Sequence, residues 1–353
     1  MVIKVENKRQ GGLLMKQAIL MKPKTIEFSE ADSPQIQAHQ VLMKVKSIGI
    51  CGSDVHAYYG KHPFISFPIR PGHEMAGEIV EVGTAVSGLD KGDLITVMPQ
   101  VFCHQCESCK SGRYNICETL EVIGCQTKGA ACEYLEVDAA LVKKIPAGMT
   151  ATLAATVEPA AVGVHAVRQG SGVKGKNVVV IGAGTIGNVT AQAALAEGAA
   201  SVLITDISDY RLMIAKQCGI SNVANTGNVS LKAAIKEAFG EEGADIFFEC
   251  VGVGDTVNQA IACSKKGHDI IIVGVYGYQP DINLAWVQDR ELRLIGTLMY
   301  VEKDFQDTID YMADERINMN PLISKTFPFD EYAEAFTYIE ENRDTSLKIL
   351  IEM

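Results

Sequence analysis

One segment constrains this chain more than any other. Residues 177–187 read NVVVIGAGTIG, and TIGNVTAQAALAEG continues from Thr185. An unbroken Val/Ile run predicts a strand buried on both faces, and the Ala-rich run after it predicts a helix. Gly182, Gly184 and Gly187 form G-x-G-x-x-G at the junction. A second strand, SVLITD, ends in Asp206, 19 residues after Gly187. Strand, glycine turn, helix and acid-terminated strand together make the dinucleotide fingerprint, which is weak when the glycines stand alone. Gly182 permits the tight turn, Gly184 lets backbone approach a pyrophosphate, and Gly187 lets helix and strand pack closely. The helix N-terminus offers free N–H groups to the phosphates. Asp206 can accept hydrogen bonds from ribose hydroxyls and would repel a 2′-phosphate, favouring NAD over NADP. Arg211 lies close enough in sequence to qualify that preference.

The alternation continues downstream. SDYRLMIAKQCG, SLKAAIKEAFG and GDTVNQAIACSKKG read as helices, and ADIFFECVG, HDIIIVGVYG and ELRLIGTLMY as strands. This is a doubly wound α/β unit. The first half differs. VLMKVKSIGI, EMAGEIVEVG, DLITVMP and ACEYLEV are strand-like and separated by Gly, Pro and Asp, and no regular helical period is expected before about residue 150. The tail holds two amphipathic helices, marked by Phe305, Ile309 and Met312 and by Tyr332, Phe336 and Ile339, then a last strand, LKILIEM. It does not extend the alternation and is expected to return to the first domain.

Composition limits the partners. With 353 residues the chain can hold two ordinary domains. A net charge of -11 argues against nucleic acid or an anionic membrane surface. No apolar run suits a membrane span, and the opening MVIKVENKRQGGLL has no export signal, so a reducing, cytoplasmic setting is expected. Ten cysteines in such a setting point to metal rather than disulfides.

Four of the ten fall in VFCHQCESCKSGRYNIC, as Cys103, Cys106, Cys109 and Cys117. The spacing C-x2-C-x2-C-x7-C suits a closed, structural Zn²⁺ site. His104 could replace one thiol but is expected to be exposed. Cys51 in GICGSDVH, and His73 and Glu74 in IRPGHEMAG, are candidate ligands of a second metal that keeps a position open. Cys125, Cys132, Cys218, Cys250 and Cys263 read as small core residues.

CGSDVH, PGHEMAGEIVEVG, the four-cysteine lobe, VEPA at 157–160 and GAGTIG occur in this order in a known family. The chain resembles, from about Met15 to its end, the zinc-containing medium-chain alcohol and polyol dehydrogenases. The first fourteen residues precede the usual start of that family. The resemblance implies a GroES-like β-rich catalytic domain, residues 1–160 with 299–353, around a Rossmann NAD-binding domain, 161–298. It implies that Cys51 and His73 bind a catalytic zinc. Many relatives use a further Cys, but none lies between Cys132 and Cys218 here, and Glu158 stands in that interval. The third ligand is then a carboxylate, Glu74 or Glu158. The sorbitol dehydrogenase branch, which the chain resembles, implies Glu74 as the direct ligand, with Glu158 acting through water or substrate.

By the same resemblance, Ser53 would touch the alcohol and His56 would pass its proton to solvent. Thr185, Ile186, Val273, Gly274, Val275 and Met299 would line the cofactor. Sorbitol enzymes commonly carry Arg-Tyr where this chain has Met299-Tyr300, and an aromatic residue where it has Ala57. Loss of the Arg donor fork weakens the case for sorbitol itself. Another polyol, a sugar-acid alcohol, or a small secondary alcohol or diol of the butanediol type is then expected as the substrate. Two zinc ions per chain, NAD and a homo-oligomer (dimer or tetramer) complete the expectation. A zinc-free quinone or enoyl reductase would lack both cysteine sites. A zinc ribbon would need a basic surface. A non-enzymatic, crystallin-like protein would bind NAD without turnover.

Overall fold

The computed structural model describes residues 14–353. The readings placed on the first residues, of an extension and of no export signal, fall on or begin in 1–13, outside the described residues. Two large sheets organise the rest.

The second half forms a six-stranded parallel sheet. Its order is Asn222–Asn225, Ser201–Asp206, Asn177–Ile181, Ile246–Glu249, Asp269–Ile272 and Arg293–Gly296. The order reverses between Asn177–Ile181 and Ile246–Glu249, which opens a crevice at the carboxyl ends of those strands. Asn222–Asn225 was not foreseen, because its sequence, NVAN, lacks the apolar run of its neighbours and its residues are only half-buried.

The first half builds a seven-stranded sheet centred on Gln40–Ile50. That strand pairs antiparallel with Glu74–Val82, Tyr134–Asp138 and the tail strand Lys348–Glu352. A hairpin of Leu14–Lys22 and Thr25–Asp32 lies beside it. The tail's two helices part company. Tyr332–Glu341 seats Tyr332 and Phe336 in the core of the β-body, and Phe336 stacks on Tyr58 at 4.4 Å. Glu302–Ala313 instead buries Phe305, Ile309 and Met312 with Val164, Val178 and Val189, on the side of the six-stranded sheet.

The first half, read as lacking a regular helical period before about residue 150, nonetheless carries two short α-helices. Gly52–Tyr58 is a helix directly after the central strand, and Glu107–Lys110 is one turn within the cysteine lobe. Both are too short to show a 3.6-residue period, and local hydrogen bonds rather than amphipathicity define them. Among the described residues no helix is long and apolar enough to cross a membrane.

Candidate active site and metal centres

Strand pairing assembles the first site. Cys51 follows the Gln40–Ile50 strand and caps the helix Gly52–Tyr58. Glu74 opens the neighbouring antiparallel strand, in register with Gly49, and His73 precedes it. The end of one strand and the start of the other therefore meet, and ligand atoms of Cys51, His73 and Glu74 lie within 4.8 Å of one another. Gly49 makes room: a Cβ there would sit 1.9 Å from Glu74 Oε2.

Two residues that the sequence reading did not single out complete the centre. Asp54 Oδ2 accepts the Cys51 N–H at 2.9 Å, while its buried Oδ1 faces His73 Nδ1 at 3.6 Å. A carboxylate behind a ligating imidazole fixes the ring's tautomer and orientation. Lys348, 3% exposed, places Nζ 2.6 Å from each Glu74 carboxylate oxygen and 3.1 Å from Ile50 O. Asp54 could have been read from its i+3 spacing to Cys51, and Lys348 as the one cation in an apolar terminal strand.

Burial pulls the His73 pKa down, but the Asp54 carboxylate and the Cys125 and Cys51 thiols override it and hold the ring well above its usual value. Burial likewise opposes the charge on Lys348, and Glu74 more than restores it. The field at His73 thus favours positive charge, and a thiol, an imidazole and a carboxylate are a zinc donor set with a fourth position free. Zn²⁺ fits these residues. Cys125 is more than a small core residue: its Sγ lies 3.8 Å from His73 Nδ1, on the side of the ring that Asp54 also faces.

Glu158 stands apart from the three donors. It lies in the first turn of the helix Val157–Val167, 4% exposed, and its Oε1 accepts the Tyr300 hydroxyl at 2.9 Å. Burial, aided by the Glu74 charge, pushes its pKa up to about 7. Ser53 is half-buried on the helix that Cys51 caps, and His56 is exposed on the same helix. Ala57, by contrast, is buried in a small cluster with Leu20 and Ile69, so its size answers to packing.

The four-cysteine lobe is closed. Cys103 and Cys109 Sγ are 3.8 Å apart, and Cys106 and Cys117 Sγ are 4.0 Å apart. The S···S edge of a tetrahedron with Zn–S of about 2.3 Å is about 3.8 Å. Backbone N–H groups of Gln105 and Cys106 lower the Cys103 thiol to about 6, while burial and neighbouring sulfurs push Cys109 up to about 12. Four such thiolates need a cation to coexist, and Zn²⁺ fits here too. All ten cysteines are free thiols, and His104 is exposed.

In the crevice, Gly182 turns the chain at φ 100°, and a Cβ on Gly187 would lie 1.7 Å from Gly182 O. Gly184 caps the helix Thr185–Ala196, and a Cβ there would meet nothing within 4 Å, which leaves the helix start open to a phosphate. Thr185 and Ile186 are half-buried in its first turn. Asp206 accepts the Ala183 N–H at 2.7 Å and the Ser208 N–H at 2.9 Å. Arg211 is 3.9 Å from Asp206 and also donates to Arg343 O in the tail. Val273 and Gly274 follow the strand Asp269–Ile272 half-buried, and Val275 is 81% exposed. Met299 is half-buried at φ 49°. Glu249, unforeseen, ties these loops together by accepting from Val251 N, Gly252 N, Thr256 Oγ1 and Tyr276 OH. A dinucleotide fits this cradle.

Gly49→Ala should displace Glu74 and lower the affinity for the metal at this centre by about 10–100-fold, as loss of a supporting contact does. Metal titration of chelator-treated protein reads this. Unchanged affinity would show that Glu74 does not support the centre.

Comparison with known proteins agrees with this geometry. Residues 37–147 match the alcohol dehydrogenase GroES-like domain, and 185–314 match the zinc-binding dehydrogenase domain. The chain is 32% identical to sorbitol dehydrogenase 1 of Saccharomyces cerevisiae over 332 residues, 91% of this chain and 93% of that protein. It is 32% identical to L-galactonate-5-dehydrogenase of Escherichia coli over 320 residues, 90% and 93% of the two chains. A crystal structure of an Escherichia coli oxidoreductase of unknown specificity superposes with a TM-score of 0.92 at 32% identity, covering 96% of this chain and 99% of that one. The chain belongs to the zinc-containing medium-chain alcohol and polyol dehydrogenases, enzymes with a GroES-like domain and a Rossmann-type NAD-binding domain.

Proposed function

We propose that the protein oxidises a secondary alcohol of a polyol or sugar acid to a ketone, with NAD⁺ as hydride acceptor. The observation that carries this is the three-donor group of Cys51, His73 and Glu74, which leaves one metal position free in a chain whose other metal site is closed. Zn²⁺, when bound there, supplies Lewis acidity toward the alcohol oxygen. The residues do the rest. Asp54 orients His73, and Lys348 adds a buried positive charge beside Glu74. A thiolate and a carboxylate alone would leave the metal formally near neutral, so Lys348 biases the centre toward an anionic substrate oxygen. Ser53 accepts the alcohol proton while its own hydroxyl proton moves on toward His56, which is exposed and releases a proton to water. Glu158, held by Tyr300, takes up a hydroxyl or water of the substrate site. Glu74 is the direct ligand in this reading.

Thr185, Ile186, Val273, Gly274, Val275 and Met299 line the dinucleotide. Asp206 selects NAD by holding the ribose hydroxyls, with its carboxylate already braced by two backbone N–H groups. The catalytic body is 1–160 with 299–353 and the cofactor unit is 161–298. The pairing of Lys348–Glu352 with Gln40–Ile50 supports the return of the tail. The helix Glu302–Ala313 forms the join, sharing a core with Val157–Val167.

We also infer a homo-oligomer, dimer or tetramer, in a reducing cytoplasm. The exposed Leu284 and Trp286 near the edge strand Arg293–Gly296 support the first, and the free thiols the second. Light scattering that returned a monomer mass would overturn the oligomer.

An NADH-fluorescence screen across polyols, sugar acids and diols should show turnover on polyols or sugar acids, with sorbitol itself poor because Met299 offers no donor fork. Turnover confined to small diols would move the substrate class. Binding of NAD without turnover on any alcohol would indicate a crystallin-like role.

Glu158 also carries a pH signature. Its folded pKa, about 7, lies above the ordinary 4.5. Between these values the folded chain holds a proton that the unfolded chain has released, so stability falls as pH rises through the window. In chelator-treated protein, Glu158→Gln should flatten the decline in urea midpoint from about pH 5 to about pH 8. An unchanged slope would show that Glu158 is not held protonated.

A further inference from the structure

Residues 298–302, which follow the last strand of the six-stranded sheet, form a strap held by its backbone. Leu298 O accepts from Asn115 Nδ2 at 2.9 Å, and Tyr300 O from Gln100 Nε2 at 2.8 Å. The Glu302 N–H donates to the Tyr114 hydroxyl. Val301 N donates to Asp304 Oδ2 at 3.0 Å. Three of these four anchors belong to the cysteine lobe or to the strand that leads into it. Gln100 and Asn115 are buried, at 0% and 5% exposure; the Gln100 bond is buried and the Asn115 bond partly so. Met299 sits between the anchors at φ 49°, a region a Met side chain seldom occupies, and the bonds on either side hold it there.

The same lobe reaches the helix that carries Glu158. Asn115 Nδ2 lies 3.3 Å from His165 Nε2, and His165 is seven residues after Glu158 on that helix, about two turns along one face. His165 Nδ1 is in turn 2.6 Å from Asp304. Lobe, helix and strap thus form a closed frame. The strap's fully buried side chain is Tyr300, and its hydroxyl ends on Glu158.

We propose that the cysteine lobe positions Glu158 for the reaction, through Gln100 and Asn115, the strap and Tyr300. Cys103, Cys106, Cys109 and Cys117 would hold the clip metal and shape the lobe, and the lobe's amides then set the geometry of Glu158. Gln100, Asn115 and Tyr300 are positioning residues. The inference rests on the reading that Glu158 works at the catalytic centre.

The test is a double-mutant cycle. Gln100→Leu and Asn115→Leu are each made alone and with Tyr300→Phe, in holoenzyme that retains the clip metal. Each lobe substitution should lower kcat on the order of ten- to a hundred-fold, with the KM for NAD⁺ little changed. In the Tyr300→Phe background the same substitutions should cost nothing further, because the route is already cut. Hydrogen exchange should rise at the amides of 301 and 302 in the lobe variants. The visible spectrum of enzyme with Co(II) at the catalytic centre should follow the same cycle without turnover. It therefore separates failure of the strap from failure of the dehydrogenase reading, which would appear as wild-type protein inert on every alcohol. Losses that multiply across the cycle would overturn the proposal. So would a lower melting temperature with kcat and the Co(II) spectrum unmoved. The two lobe substitutions remove different donors, so one that fails to fold leaves the other to decide.

Discussion

The buried ion pair between Lys348 and Glu74 is the interaction on which the catalytic end of this molecule depends. It joins the last strand of the chain to a strand near its beginning, across the central strand Gln40–Ile50. Breaking such a pair by removing one partner typically costs about 3–5 kcal/mol, because the other charge is left buried. The pair also fixes where the Glu74 carboxylate can go. The ammonium lies 2.6 Å from both carboxylate oxygens, and the Cys51 and His73 ligand atoms lie within 4.8 Å of one of them. Gly49 gives the carboxylate its space, and Asp54 holds the two flanking ligands in place. The centre is a property of three strands in register and not of one loop.

The two metal sites divide the work by ligand count. Four sulfurs within tetrahedral reach of one another leave no room for substrate. Three donors of mixed kind leave one position free. The strap at 298–302 joins the lobe to the helix of Glu158, since the lobe's buried amides hold the segment whose Tyr300 meets that carboxylate. Arg168, at the C-terminal end of the helix, joins the same frame beside His165, bridging Glu197, Asp304 and Asp307.

Much of this was legible in the sequence where function demands fixed spacing. The glycines at 182, 184 and 187 and the acid at 206 specify strand, turn and helix together. The cysteine spacing alone gave a closed metal clip. Cys51, His73 and Glu74 were harder, because two distant segments meet only through strand pairing, and the family resemblance supplied that link. What escaped were groups whose role comes from tertiary placement. Lys348 looks like one polar residue in an edge-like strand until its neighbours are known. Glu249 looks like a strand end, and Asn115 and Gln100 look like ordinary lobe residues. The helix Gly52–Tyr58 was missed because seven residues are too few to show a period. The strand Asn222–Asn225 was missed because it is only half-buried.

The account's central claim is that one chain holds a closed structural metal site and an open catalytic one. Zinc analysis of freshly purified protein tests it most directly, on wild type, Cys51→Ala and Cys103→Ala. The account predicts about two zinc ions per chain in wild type and about one in each variant. It also predicts activity lost with little change in melting temperature for Cys51→Ala, and chiefly a lower melting temperature for Cys103→Ala. A single zinc in wild type, or the two variants exchanging their effects, would contradict it.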